Sequence, residues 1–135
     1  MKTTNLFLNT PDEVETAYYE AFLQSDINMM SALWGKEDVI CIHPGTGVVS
    51  GYDAVVRSWV YIFEGGSVPQ FNYSVLKRTQ SNDLAVHLVI ESLGTGEQKV
   101  VVVATNVYQQ FEKGWQIVEH HASVAQTQHE GHILQ

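Results

Sequence analysis

Apolar residues recur along the chain with two different spacings, and the change falls near residue 66. Val14, Ala17, Tyr18, Ala21 and Phe22 follow the i, i+3, i+4, i+7, i+8 spacing of one helix face. Thr10-Pro11-Asp12-Glu13 precedes them and supplies an N-cap, a first-turn proline and a glutamate that closes a capping box. Ser25-Asp26 interrupts the pattern. Asp26 caps a short second helix carrying Met29, Met30, Leu33 and Trp34, which stops near Gly35. Val39 to His43 is a short strand ended by Pro44-Gly45, and Gly45, Gly47 and Gly51 punctuate a loop or a short strand pair. Ser50 and Asp53 form a second capping-box pattern ahead of Val55, Val56, Trp59, Val60, Ile62 and Phe63, a third amphipathic helix stopped by Gly65-Gly66.

Beyond that point the period becomes two. Phe71, Tyr73 and Val75 alternate with polar residues, and three further strands follow: Ala85 to Glu91, Lys99 to Tyr108, and Trp115 to Val124. Ser81-Asn82-Asp83, Gly94-Thr95-Gly96 and Glu112-Lys113-Gly114 supply the turns of an antiparallel meander. Helices gathered ahead of such a sheet define an α+β fold, with a curved, cone-shaped antiparallel sheet wrapped around three N-terminal helices. One domain is expected over residues 6–126, with a polar tail over 127–135.

Composition narrows the function. The chain has 135 residues and a net charge of -8, with only seven Lys and Arg and no basic run. That disfavours nucleic acid and an anionic membrane surface as partners. The single cysteine, Cys41, precludes an internal disulfide and reads as a buried reduced thiol of a cytoplasmic protein. The N-terminal apolar stretch is too short for a signal peptide, and no stretch is long enough to span a membrane. No metal site is expected: His120 and His121 are adjacent and point to opposite faces, and His129, Glu130 and His132 lie in the tail without further ligands.

Candidate chemistry concentrates in the last strand. Strict alternation places Trp115, Ile117, Glu119, His121 and Ser123 on one face, and Trp115 with Ile117 marks that face as the concave one. Glu119 and His121 would then share the cavity, ~7 Å apart along the strand, where burial and mutual charge shift both toward neutral proton transfer. The alternative is a structural pair bonded at the cavity rim.

Three local patterns resemble the nuclear transport factor 2-like superfamily, which includes ketosteroid isomerase, SnoaL-type cyclases and the association domain of calcium/calmodulin-dependent kinase. They are Asp26-Ile27-Asn28-Met29-Met30 with Leu33-Trp34; His43-Pro44-Gly45 with Gly51 and Trp59; and Ala104-Thr105-Asn106-Val107-Tyr108 with Gly114-Trp115-Gln116-Ile117-Val118 and His121-Ala122-Ser123. The chain is most similar to the SnoaL-like, ketosteroid isomerase-like proteins, whose fold is also called cystatin-like. The resemblance implies one enclosed pocket for a small, partly apolar ligand, with chemistry that needs no cofactor; a homodimer is expected separately, from the outer sheet face.

It also implies roles. His43 stands where the isomerase has its base aspartate, directly before a proline. Tyr18 lies eight residues before Asp26, matching the isomerase's oxyanion-hole tyrosine. The hairpin register puts Val107 where the isomerase has its second aspartate, so both carboxylates of the steroid mechanism are missing. With Trp34, Trp59, Thr105, Val107, Trp115 and Ser123 expected around the ligand, two readings stay open. One is cofactor-independent acid-base chemistry of the isomerase, cyclase, lyase or hydrolase type by His43, Tyr18, Glu119 and His121. The other is a binding or assembly module without chemistry, in which the same side chains are structural. For the dimer, Val118, Ala122 and Val124 are read as an exposed apolar face.

Overall fold

A computed structural model describes residues 6–66 and 70–125. Its elements run α1 (Pro11–Gln24), α2 (Ile27–Leu33), β1 (Ile40–Ile42), β2 (Val49–Ser50), α3 (Tyr52–Glu64), β3 (Asn72–Gln80), β4 (Leu84–Leu93), β5 (Val100–Phe111) and β6 (Gly114–Val124), with one 3-10 turn at Gly96–Gln98. The tail assigned to 127–135 lies outside the described residues.

Local chemistry explains the helix boundaries. Thr10 accepts from the Glu13 backbone N–H at 3.1 Å, and the Glu13 carboxylate accepts from the Asn9 N–H at 2.7 Å. Asp26 accepts from the Met29 N–H at 3.0 Å and starts α2. The third start differs from expectation. Ser50 pairs with Ile40 inside the sheet, and α3 is entered through Gly51 at φ 94° with no side-chain cap. A positive φ at the strand-to-helix corner favours glycine, which has no Cβ to clash.

The sheet has six strands in the order β2-β1-β6-β5-β4-β3 and is curved and unclosed. The meander β3 to β6 is antiparallel, as its tight turns require. The sheet as a whole is mixed, because β1 runs parallel to β6. No hairpin joins those two strands, so turn geometry does not set their direction. Trp34 extends the same edge through a parallel bridge to Ile117.

The concave face carries the core. Val14, Tyr18, Tyr19 and Ala21 of α1, Met30 and Leu33 of α2, and Val55 and Trp59 of α3 pack against Ala85, Val89, Tyr108 and Ile117 of the sheet. Trp34 and Trp115 are buried in this core. A second, smaller cluster of Val102, Ala104 and Ala122 lies on the same face beyond the helices.

One feature of β6 changes which residues face inward. Val107 pairs with Glu119 while Tyr108 pairs with Ile117, so Val118 is an extra residue without its own partner. This is a β-bulge, and a bulge resets the alternation. Trp115 and Ile117 face the core as expected. After Val118, His120 and Ala122 are buried, while His121 and Ser123 are exposed and Glu119 is half-buried.

Candidate functional site

Between α1, α3 and the sheet lies a cavity of ≈ 540 Å³. Its wall is mostly apolar and aromatic, with Tyr18, Tyr19, Phe22 and Trp59 contributing rings and His43, Glu91 and His120 contributing polar groups. None of the lining residues is Lys or Arg.

The bulge corrects half of the expected site. Glu119, His121 and Ser123 belong to the convex face, in rows with Val107, Thr105 and Val103 of β5. Thr105 and Val107 are therefore convex-facing too. The residue that turns inward on β5 is Asn106, and its row neighbour on β6 is His120. Trp34 and Trp115 are core residues and do not line the cavity. Tyr18, His43 and Trp59 do line it.

His120 ends a chain of buried hydrogen bonds. Its Nδ1 meets Asn106 Oδ1 at 2.5 Å, Asn106 Nδ2 donates to the Tyr19 hydroxyl at 3.0 Å, and that hydroxyl donates to Glu91 Oε2 at 2.6 Å. Donor counting sets the direction. The Tyr19 proton goes to Glu91, so the tyrosine oxygen accepts from the Asn106 amide. The Asn106 oxygen is then an acceptor, and the proton between it and His120 belongs to Nδ1. The tautomer so assigned leaves Nε2 of His120 with a bare lone pair and no protein partner among the described residues.

His43 is fixed by the same reasoning. Ser58 Oγ gives its proton to the Val55 carbonyl at 2.6 Å, so it accepts from His43 Nε2 at 2.9 Å. The two imidazoles are 6.4 Å apart, centroid to centroid, with the Trp59 ring 4.7 Å from His43 and 6.1 Å from His120. Cys41 Sγ lies 3.5 Å from His43 Nε2, and burial pushes its thiol up to about 12, so it is an inert core residue.

Tyr18 presents its ring to the cavity and packs against Trp59 and His120. Its hydroxyl and the Trp59 indole N–H are sealed from solvent and have no partner among the described residues. Burial, followed by repulsion from neighbouring acidic groups, raises the Tyr18 hydroxyl well above its ordinary range.

Both imidazoles are held neutral. Burial lowers His43 to about 4; burial first, then repulsion from His43 and His121, lowers His120 to about 3. An unfolded histidine titrates near ~6.5. The unfolded chain therefore takes up protons below that pH while the folded chain does not. The stability these groups contribute is fully present above about pH 6.5 and is lost as pH falls toward 4, by about 1 kcal/mol per pH unit for each histidine. Burial raises Glu91, which works in the opposite sense and reduces the net fall. Urea midpoints are expected to drop between about pH 7 and about pH 5, and to drop more steeply in Glu91→Gln, where the opposing group is gone; a constant midpoint in that variant would show that the imidazoles are not held neutral.

A second polar cluster lies outside the cavity. Buried His87 Nδ1 meets buried Glu15 Oε2 at 2.9 Å, and Arg78 reaches Asp12 at 2.9 Å and Glu15 at 3.5 Å. The donor atoms of Asp12, Glu15 and His87 lie within 4.8 Å of one another. The Arg78 guanidinium already supplies positive charge there, and the cluster ties α1 to β3 and β4.

Sequence reasoning missed Tyr19, Glu91, Asn106 and His120. The signal for Glu91 was present in the alternation of Ala85, His87, Val89 and Glu91, all buried. Tyr19 lies on the edge of a helical stripe wide enough to include both Tyr18 and its neighbour. Asn106 and His120 depended on the bulge.

Comparison with known proteins agrees with this architecture. Residues 12–127 match the SnoaL-like domain family. A structure from Thiobacillus denitrificans, provisionally assigned as a calcium/calmodulin-dependent protein kinase type II association domain, is 32% identical, with a TM-score of 0.83 and coverage of 90% of this chain and 99% of that one. A protein from Streptomyces avermitilis, provisionally assigned as a dehydratase of the nuclear transport factor 2-like family, is 26% identical, with a TM-score of 0.73 and coverage of 86% and 94%. An F-box protein, SKIP8 of Arabidopsis thaliana, is 26% identical over 112 residues. That alignment takes in 82% of this chain and 48% of the F-box protein, so the chain spans about half the length of that relative. With a cone-like sheet, three covering helices and a family match over most of its length, the chain belongs to the SnoaL-like domain family of the nuclear transport factor 2-like superfamily.

Proposed function

We propose that the cavity binds a small, partly apolar molecule and that His120, with His43 across from it, moves a proton on that molecule without a bound cofactor. The observation that carries this reading is the directed chain from Glu91 through Tyr19 and Asn106 to His120. It holds a neutral imidazole in one tautomer, with its free nitrogen on a residue that lines an apolar cavity. When His120 takes a proton, the positive charge forms in a low-dielectric site. The Glu91 carboxylate at the far end of the chain offsets it. Isomerisation, dehydration and cyclisation all begin with such a proton transfer. A thermal-shift screen of small metabolites, followed by assay of the stabilising compounds for these reactions, tests the reading. Ligands that stabilise strongly yet never turn over would favour a binding module.

The assembly reading has its own support. The convex face presents three rows across β4, β5 and β6: Val86-Val107-Glu119, Leu88-Thr105-His121 and Ile90-Val103-Ser123. The apolar members are half-buried in the single chain. Of the residues expected on the outer face, Ala122 and Val124 lie in the concave rows with Ala104 and Val102, Ala122 buried and Val124 exposed, and Val118 packs against the main core. An apolar sheet face of this breadth favours a homodimer. Light scattering at micromolar concentration is expected to give the dimer mass for the native chain and the monomer mass for Val103→Glu; a monomeric native chain would contradict it.

A further inference from the structure

The polar wall of the cavity is one-sided. The rings of Tyr18 and Trp59 form wall, but their O–H and N–H groups are sealed away from it. Ser58 has its only proton on Val55. Tyr61 also lines the cavity, but it is 79% exposed and its hydroxyl is open to solvent; among the buried lining groups, what remains toward the interior is acceptor capacity. His120 has the bare Nε2. Glu91 uses Oε2 for the Tyr19 hydroxyl, while its other carboxylate oxygen has no partner among the described residues. Glu91 is only 8% exposed and lines the cavity. No Lys or Arg lines the cavity to receive an anion. The rest of the wall is aromatic and aliphatic, including Tyr19, Phe22 and Trp59.

An acceptor-only wall with a buried carboxylate selects against three ligand classes. A carboxylate or phosphate would meet Glu91 with like charge and find no counter-charge. A ketone buried in the cavity would find no free donor among the buried lining groups. A pure hydrocarbon would leave the Glu91 oxygen and His120 Nε2 unsatisfied, which is costly in a desolvated site. An ammonium group answers each requirement. It carries three N–H donors, its charge pairs with the Glu91 carboxylate, and aromatic faces attract cations. The net charge of -8 also favours the approach of a cation.

We propose that the molecule this cavity takes is an amine: an ammonium head against Glu91 and an apolar, ring-sized body among Tyr19, Phe22 and Trp59. This rests on the reading of the cavity as a small-molecule site and adds the chemical class.

The test uses three probes of nearly equal shape: tryptamine, tryptophol and indole-3-acetate, titrated calorimetrically into the full-length protein at neutral pH. Tryptamine is expected to bind at least about tenfold more tightly than tryptophol, the size of one charge-assisted hydrogen bond, and indole-3-acetate weakest of all. In Glu91→Gln the amide oxygen still accepts from Tyr19, so the chain of hydrogen bonds persists. Tryptamine affinity is expected to fall about tenfold or more there, and tryptophol affinity to stay within about twofold. Glu91→Asp, which keeps the charge, should retain the order amine, alcohol, acid. Tighter binding of the acid or the alcohol, amine binding indifferent to Glu91→Gln, or no amine binding would each overturn the proposal. Amine binding without turnover would leave it standing and remove the catalytic reading; turnover of a neutral compound with no amine binding would do the reverse.

Discussion

Replacing His120 by alanine is expected to lower turnover of the cognate substrate by roughly a hundred- to ten-thousandfold. His121→Ala, one residue further along the strand, is expected to leave it within about twofold. The contrast follows from the bulge at Val118, which turns His120 into the cavity and His121 out to solvent. Simple alternation along the strand makes the opposite assignment, so the pair of variants decides between them. Loss of His120 also leaves Asn106 Oδ1 unpaired, at a cost of about 1–3 kcal/mol. The assay therefore belongs well below the melting temperature of the variant. A second readout separates chemistry from stability: added imidazole should restore part of the activity of His120→Ala if the lost group was the base. Equal activities for the two variants, or no rescue, would remove His120 from the mechanism.

Glu15→Ala is expected to destabilise the fold by about 1–3 kcal/mol, because it leaves the buried His87 Nδ1 without its hydrogen-bond partner. Glu15 is 3% exposed and its partner His87 is 1% exposed, 2.9 Å away. In a domain of this size the melting temperature should fall by roughly 4–10 °C. Glu15→Gln keeps an acceptor for the His87 ring and should cost clearly less. Asp12→Ala is the control. Its salt bridge to Arg78 joins side chains that are 63% and 51% exposed, and such surface pairs contribute at most about 1 kcal/mol. Thermal or urea denaturation of the three variants measures the difference. Equal effects for Glu15→Ala and Asp12→Ala would mean that the cluster does not clamp α1 to the sheet.

Individual residues show how far the candidate site could be read from the chain. Tyr18, His43 and Trp59 stand beside signals that are local: a helical stripe, a strand end before proline, and a second helical stripe. Those signals survive folding, because helix faces and strand ends are set within a few residues. Glu119, His121, Ser123, Thr105 and Val107 were placed by carrying a period of two across β6 and its hairpin. One inserted residue shifts that period by half, and nothing in Gln116-Ile117-Val118-Glu119 marks the insertion. The polar chain behind His120 was equally hidden. Its members come from α1, β4, β5 and β6, and Tyr19 and Glu91 are separated by 72 positions in sequence.

What the sequence determined by itself was the order of helices and strands, the antiparallel meander, the concave core and the family. These follow from periodicity, capping residues and turn residues, each of which acts over a handful of neighbours. What the tertiary structure alone decided was the phase of the last strand. β6 is held on both sides, by β5 in antiparallel register and by β1 and Trp34 in parallel register. The two ladders meet at Ile117 and Glu119 with Val118 between them, left without a partner in the β5 ladder. That is a condition on three separate stretches of backbone, and it sets which histidine meets the cavity.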